Sequence, residues 1–469
     1  MDMATVSELG RSHLYCADTK LSSLFYHLWT AFATLTSFVG NMTLFVFFSC
    51  LLLSCLPKTG YESTIIGSSS KINTILSPAS QTKIARDSNG YWFVVVDDDA
   101  GTTDYFIKLI YSTTTANPTS SGDWVTTVLV AASGSPVVET VEGTIGAIII
   151  DSNDTLHFVY IEETLGDIRY SYCDNLSEIN CTDSWSNPVT LNDDLDNVAM
   201  HPAIAVDSDN TPHVIWHQVI SSVRNIFYTK ANTTGGFYAD KQMGTATVNK
   251  MFPGIAIDTD DTVHIAWQDA DEGAFCYLKS KDAATTAPAL STWKNSRHDN
   301  TTPDNVFTTD ANDGGNIRGC SLVIDVYNNV WLGGTIAAGD DINVYRCPAG
   351  DNAWDSVSLA INSTYNNQVQ LGVAGKGELY MVGINSTSND VIYRKYTTSG
   401  GWDGDDTTIK EGTFEWPCIE KRIRPDSTSR IGLVWGDDTN DDVYWSTVAA
   451  TPINLMPGAP TALTQREKD

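Results

Sequence analysis

Ala203-Ile-Ala-Val-Asp207-Ser-Asp-Asn-Thr-Pro-His213-Val-Ile-Trp216 and, one repeat later, Gly254-Ile-Ala-Ile-Asp258-Thr-Asp-Asp-Thr-Val-His264-Ile-Ala-Trp267 are near duplicates. Each reads as an apolar strand, a turn opened by Asp, and a second apolar strand led by His, because Asp and Asn favour turns and short β-branched runs favour strands. Working outward, weaker copies place their turn residue at Asp87, Asp151, Asp325, Ala374 and Asp426, and open the second run with Trp92, His157, Trp331, Tyr380 and, as an exception, Gly432. A polar loop follows each second run, then a tyrosine on a third: Tyr111, Tyr170, Tyr228, Tyr277, Tyr345, Tyr393 and Tyr444. Six copies continue to a bulky aromatic where a hairpin into a fourth strand begins, at Trp124, Trp185, Phe237, Trp293, Trp354 and Trp402.

One such unit is a four-stranded sheet too small to bury its own faces, so its neighbours must cover it. Strands apolar on both faces suit sheets packed radially about an axis, and closing the ring leaves only short edges. The sequence therefore predicts an all-β chain folded as a seven-bladed β-propeller of four-stranded antiparallel blades over residues 58–450. Tyr444 has no hairpin aromatic after it, while Tyr61 to Ile66 precede the first unit without a blade of their own. That N-terminal strand is expected to complete the last blade. A six-bladed ring with one degenerate unit outside it is the alternative; a solenoid would call for polar capping repeats, which are not seen.

The 469 residues include 57 Asp and Glu against 28 Lys and Arg, a formal net charge of -29. That charge repels nucleic acid and anionic lipid from the body of the protein and suits cations or neutral and basic ligands. Residues 1–57 stand apart: from Leu21 to Pro57 there is no charge, and Thr43 to Leu56 is nearly all apolar. Leu52-Leu53-Ser54-Cys55 is a loose match to a lipoprotein cleavage box; a signal core starting at Met42 and a retained membrane anchor are the other readings. All three predict export and an extracellular or cell-surface propeller, and the lipoprotein and anchor readings attach it to a membrane through this segment. Of nine cysteines, Cys173 and Cys181 bracket a short polar insertion that suggests a local disulfide, while Cys276, Cys320, Cys347 and Cys418 fall on expected strands as buried thiols. Eight Asn-x-Ser/Thr sequons, from Asn41 to Asn385, are glycan acceptors only in a host with that machinery. Residues 451–469 form a tail whose Pro457-Gly-Ala-Pro-Thr-Ala-Leu463 looks like the start of a fibronectin type III domain.

Between Lys83 and Thr447 the chain resembles the BNR, or Asp-box, repeat propellers typified by sialidases and by some lectins and polysaccharide lyases. The resemblance rests on hairpins such as Tyr393-Arg-Lys-Tyr-Thr-Thr-Ser-Gly-Gly-Trp402 and on the Ile-Ala-x-Asp-Ser/Thr turn. The hairpins lack the aspartate of a full Ser-x-Asp-x-Gly-x-x-Trp box. A sialidase of this family implies three arginines converging on a carboxylate, but the early Arg-Ile-Pro signature is absent. Its nearest string, Arg422-Ile423-Arg424-Pro425, lies in the last unit, and Arg169, Arg346 and Arg394 sit beside the repeated tyrosines as outer-strand residues. A lyase of this family implies a His and Tyr pair with an Arg, Lys or metal to stabilise a carboxylate. His217 is the one candidate; His157, His213 and His264 share a repeat position and read as structural.

In a propeller, the loops between second and third strands gather with the entries to the first strands at one end of the axis. Six of those seven loops carry carboxylates, among them Asp97, Asp99, Asp269 and Glu272. The entering residues include His201, Phe252, Arg318 and Trp416, and second strands end on Trp216, Trp267 and Trp435. Aromatic faces stack on sugar rings, and carboxylates accept from sugar hydroxyls or ligate calcium. The expected ligand set is thus His201, Trp216, His217, Arg224, Trp267, Arg318, Trp416 and Trp435, with calcium as a candidate ion at the four acids. The expectation is an exported propeller that binds glycans or other surface ligands, with a glycan-degrading hydrolase or lyase as the alternative and a structural scaffold as the third.

Overall fold

A computed structural model shows a ring of seven antiparallel sheets, five of four strands and two of five. It describes residues 63–68, 81–99, 105–115, 118–128, 138–139, 146–162, 166–176, 185–192, 199–243, 249–269, 274–280, 293–294, 304–308, 320–336, 341–350, 353–356, 365–385, 387–404, 406–421, 430–437 and 442–450. The chain divides into two compact units, Met1–Gly60 and Tyr61–Asp469. The first, which holds the apolar segment, lies outside the described residues, as does the tail after residue 450. Among the described residues no helix is long and apolar enough to cross a membrane.

Blade 3 shows the plan: Ala199–Val206, Pro212–Ile220, Val223–Lys230 and Lys241–Met243 pair in sequence order from the axis outward. Blade 4 repeats it with Lys250–Ile257, Val263–Asp269, Ala274–Ser280 and Asp304–Thr308. Closure is as expected. Thr64–Ser68 pairs antiparallel with Asp442–Ala449 and becomes the outer strand of blade 7, so the ring is fastened by joining the two ends of the propeller sequence. Both faces of the middle strands are buried, and each apolar cluster is shared between neighbours: Ala203, Ile215 and Tyr228 of blade 3 pack with Ile255, Ile265 and Trp293 of blade 4.

The repeated residues are explained by three devices. In blades 2, 3 and 4 the turn aspartate, Asp151, Asp207 or Asp258, accepts two backbone N–H groups on one carboxylate oxygen, for example Asp209 N at 3.0 Å and Thr211 N at 2.9 Å on Asp207. Its other oxygen faces the histidine that opens the second strand, at 3.3, 3.1 and 3.2 Å for His157, His213 and His264. The far ring nitrogen of each meets the repeated tyrosine hydroxyl, at 2.7, 2.7 and 2.6 Å. Burial holds His213 and His264 below the ordinary histidine range against the pull of their aspartates. The His213 and His264 rings are therefore neutral, with Nε2–H donating to Asp and Nδ1 accepting from Tyr, and every polar atom in each such chain is used. Burial would raise Asp207 and Asp258, yet the bonds from histidine and backbone outweigh it and hold both carboxyls low.

A pH dependence follows. The unfolded chain takes up protons at His213 and His264 near pH 6.5, while the folded rings resist, so stability is lost as pH falls below that value. The lowered aspartates add a second loss below their unfolded value of 3.8. Urea midpoints measured from pH 7.5 to 5 should decline, and less so in a His213→Phe/His264→Phe double variant.

Neighbouring blades are joined by the other two devices. The tyrosine ring of one blade is capped edge-on by the hairpin aromatic of the next, with centroids 4.9 Å apart for Tyr170 and Phe237, Tyr228 and Trp293, and Tyr277 and Trp354. Turn also clasps turn. The residue after the turn Asp donates its N–H and hydroxyl to an Asp or Asn of the following turn: Ser88 to Asp154, Ser152 to Asn210, Ser208 to Asp261 and Thr259 to Asn328. Each acceptor has φ near 60°, the left-handed region that Asn and Asp tolerate best. Asp261→Ala, which loses both bonds and strains that backbone, should cost about 1–2 kcal/mol. Asp261→Asn, the residue used at two other interfaces, should be near neutral in the same urea titration.

Candidate functional site

The first strands of blades 3 and 4 are not regular at the end where the loops gather. Their pairing slips between Met200 and Ala203 and between Met251 and Gly254, so that His201-Pro202 stands opposite Trp216 alone and Phe252-Pro253 opposite Trp267 alone. A bulge suits proline, which has no N–H to offer the ladder. His201 and Phe252 have φ of 54° and 52°, a region costly for a side chain and worth about 1–3 kcal/mol of strain each. Blade 7 slips likewise between Glu415 and Cys418, around Trp416-Pro417.

The bulges bring three rings together. His201 lies 4.8 Å from His217 and 4.6 Å from Phe252 between centroids, and His217 meets Phe252 edge-on at 6.2 Å. The Nδ1 atoms of His201 and His217 are 3.4 Å apart, so one carries a proton and the other accepts it. Burial, followed by the Arg224 charge, pushes His217 down to about 3. Burial, His217, Lys83 and Arg224 hold His201 well below the ordinary range. Both imidazoles are thus neutral at physiological pH. His217 is 1 % exposed and its Nε2 has no hydrogen-bond partner, while Arg224 at the end of the same hairpin is exposed. One blade on, Gln268 occupies the register place of His217, opposite Met251 as His217 is opposite Met200, and its Oε1 is likewise buried without a partner.

The remaining expected residues fall differently. Trp216, Trp267 and Trp435 are fully buried, with Trp216 stacked on Phe227 and Trp435 on Tyr444, so no face of these rings is open to a sugar. Asp269 is buried beside Lys250 in the ladder. Arg318, Glu272 and the side chains of Asp97, Asp99 and Trp416 lie outside the described residues, as does Cys181 of the expected disulfide. Among the described residues no group of three or more His, Cys, Asp or Glu is placed to hold a metal. Arg169, Arg346 and Arg394 each pair with a carboxylate of their own blade, Glu162, Asp355 and Asp406, and do not converge. Cys276, Cys320, Cys347 and Cys418 are buried, and burial pushes Cys320 and Cys418 up to about 12, where a thiol is inert.

Sequence reading missed the axis. Gln81 donates to Pro202 O of blade 3 at 2.9 Å and accepts on its backbone oxygen from Gln370 of blade 6 at 3.1 Å. Lys83 Nζ donates to Gln81 Oε1 and Gly146 O, both at 2.6 Å. These three buried side chains tie inner strands across the ring, and the Lys83 charge acts on His201. The signal was present as a Gln and a Lys just ahead of the first strand of blade 1, but a lone polar pair carries no repeat to mark it.

No protein-family model matches the chain and no curated protein matches it. Solved structures do. A polysaccharide lyase, Uly1, is 12% identical over 79% of this chain and 90% of its own, with a TM-score of 0.51. A polysaccharide lyase described as an ulvanlyase, bound to -[GlcA(1-4)Rha3S]-, is 10% identical over 87% of this chain and 99% of its own, with a TM-score of 0.53. A leech intramolecular trans-sialidase aligns more loosely, at 10% identity and a TM-score of 0.42 over 84% of this chain and 70% of its own. At these identities the likeness is one of fold: a propeller architecture shared with polysaccharide lyases, and no Asp-box motif is confirmed by it.

Proposed function

We propose that this chain is a glycan-binding propeller that engages its ligand at the end of the ring where the loops between second and third strands gather. The observation that carries the reading is the paired neutral imidazole of His217, with a ring nitrogen that finds no protein partner, beside the exposed Arg224. A polyhydroxylated ligand supplies the donors and acceptors such a group needs. The lyases of like fold act on polysaccharides, which supports a sugar as the ligand class.

Binding is favoured over catalysis by the same ring. A general base works best with a pKa near the operating pH, and His217 is held at about 3, far too low to draw a proton from carbon at neutral pH. The glycan-degrading alternative draws on the juxtaposition of His201, His217 and Arg224, which a substrate could rearrange. Calcium at the acidic loops remains part of the proposal. So does an exported location, with the uncharged stretch 21–57 leading the propeller out of the cytoplasm or holding it at a membrane.

A glycan array probed with the full chain should give specific binding that His217→Ala weakens about fivefold or more, the worth of one lost hydrogen bond. Incubation with sialosides and uronate polymers should release no product. Turnover that His217→Ala abolishes would replace this reading with the enzyme, and neither binding nor turnover would leave a scaffold.

A further inference from the structure

The loop end of blades 3 and 4 holds the same construction twice: an aromatic-Pro bulge on the first strand and, in register beside it, a buried polar side chain on the second. His201-Pro202 accompanies His217, and Phe252-Pro253 accompanies Gln268. Among the described residues these are the two non-glycine positions of positive φ that precede proline. His217 Nε2 and Gln268 Oε1 are both buried without a hydrogen-bond partner. Buried polar atoms in folded proteins are nearly always bonded, so two such atoms at equivalent places of adjacent blades point to a partner that comes from outside the chain. Phe252 stands next to this pair: its half-buried ring lies against both imidazoles, on a backbone held in a strained conformation, and the residue before it in the bulge, Met251, is paired with Gln268.

We propose that the blade 3/4 end is a closed subsite for the hydroxyl edge of a neutral sugar ring, recognised by His217 Nε2 and Gln268 Oε1 and uncovered when the Phe252 ring swings aside. This rests on the glycan-binding reading and narrows it. The chemistry selects the class. Gln268 Oε1 only accepts, so it takes a hydroxyl hydrogen and repels a carboxylate. His217 Nε2 donates or accepts according to which Nδ1 holds the shared proton, and adjacent sugar hydroxyls can meet either state. An apolar sugar face then rests on the displaced aromatic ring. Because each blade supplies one recognition atom, the ligand straddles the seam between the blades and does not enter the axis, which Gln81 and Lys83 occupy. The bistable element is a single strained residue, and a ligand that binds the open state shifts its population.

The test uses the full chain, labelled with nitrogen-15 in Gln and His side chains and titrated with the methyl glycosides of glucose, galactose and mannose. At least one glycoside should shift both the Gln268 amide and the His217 ring signals, identified by their loss in Gln268→Met and His217→Gln. Phe252→Gly, which suits the positive φ and removes the cover, should bind that glycoside about tenfold tighter, the gain expected when an open state of about 10% becomes the resting state. Glycosides that move neither side chain, or an unchanged affinity in Phe252→Gly with the wild-type shifts absent, would overturn the subsite. Array binding in the presence of that failure would leave the glycan-binding reading standing, whereas no array binding by the wild-type chain would remove the reading itself.

Discussion

Glu420→Ala is expected to lower the stability of the propeller by about 3–5 kcal/mol, among the largest effects of any single substitution outside the apolar core. Glu420 follows the first strand of blade 7, and Arg86 ends the first strand of blade 1, so the pair bridges the seam where the ring closes. Both side chains are almost wholly buried, at 0% and 4% exposure. Arg86 Nε donates to Glu420 Oε1 at 3.2 Å, and the guanidinium lies 4.3 Å over the Trp92 ring. The other carboxylate oxygen accepts from Gly432 N at 3.4 Å. Removing the carboxylate takes a charged acceptor away from a buried guanidinium, and arginine cannot escape by losing its proton. The loss therefore reflects a buried charge deprived of this carboxylate more than the net worth of the pair. An Arg86→Met/Glu420→Leu double variant should recover most of it, because apolar groups of similar size avoid the desolvation altogether. Urea midpoints of the two single variants and the double, at constant slope, measure the difference. A double variant as unstable as Glu420→Ala would refute the argument.

Much of this ring could be read from the chain because its signals repeat. The turn Asp, the opening His and the third-strand Tyr recur at fixed spacing, and all three turn out to belong to one hydrogen-bonded chain such as Asp207, His213 and Tyr228. The hairpin aromatics were legible as hairpins, but their task of capping the tyrosine of the preceding blade was not, since it joins residues of different copies. The same holds for the clasps: Asp207-Ser208 reads as a self-contained turn, and only the fold brings Asp261 beside Ser208. The candidate residues can be followed only as positions in the fold. His201 and His217 were singled out, and the structure brings them into contact. Trp216, Trp267 and Trp435 were expected to face a ligand because they end apolar strands, yet radial packing covers both faces of those strands. Gln268 was overlooked although it aligns with His217 in the two near-duplicate copies, because a glutamine after a tryptophan signals nothing until its orphaned oxygen is seen.

The single exception in the opening position leads to the second large effect. Gly432 stands where every other copy has His, Trp or Tyr, and substituting the repeat residue there should unsettle the ring and not reinforce it. A Cβ at Gly432 would lie 2.4 Å from Cζ3 of Trp92 and 2.5 Å from Cη2 of Trp445. Those rings meet edge-on with centroids 4.5 Å apart, and Trp124 packs on Trp445 at 5.1 Å, so the space is filled by rigid aromatic bodies from blades 7 and 1. Blade 1 carries the bulk of Trp92 at its own opening position, and that bulk occupies the room left by the missing side chain of blade 7. Gly432→Ala should therefore cost about 1–3 kcal/mol through overpacking, and Gly432→His more, since an imidazole cannot be placed without displacing an indole. Trp92→Leu alone should also destabilise, by leaving a cavity beside Trp445. Combined with Gly432→Ala it should cost less than the sum of the two, because each change makes room for, or fills, what the other disturbs. Additive losses in the urea titration of this cycle would show that the glycine serves some other purpose. A coupling that stabilises the double variant would establish that the seventh blade departs from the repeat in order to close on the first.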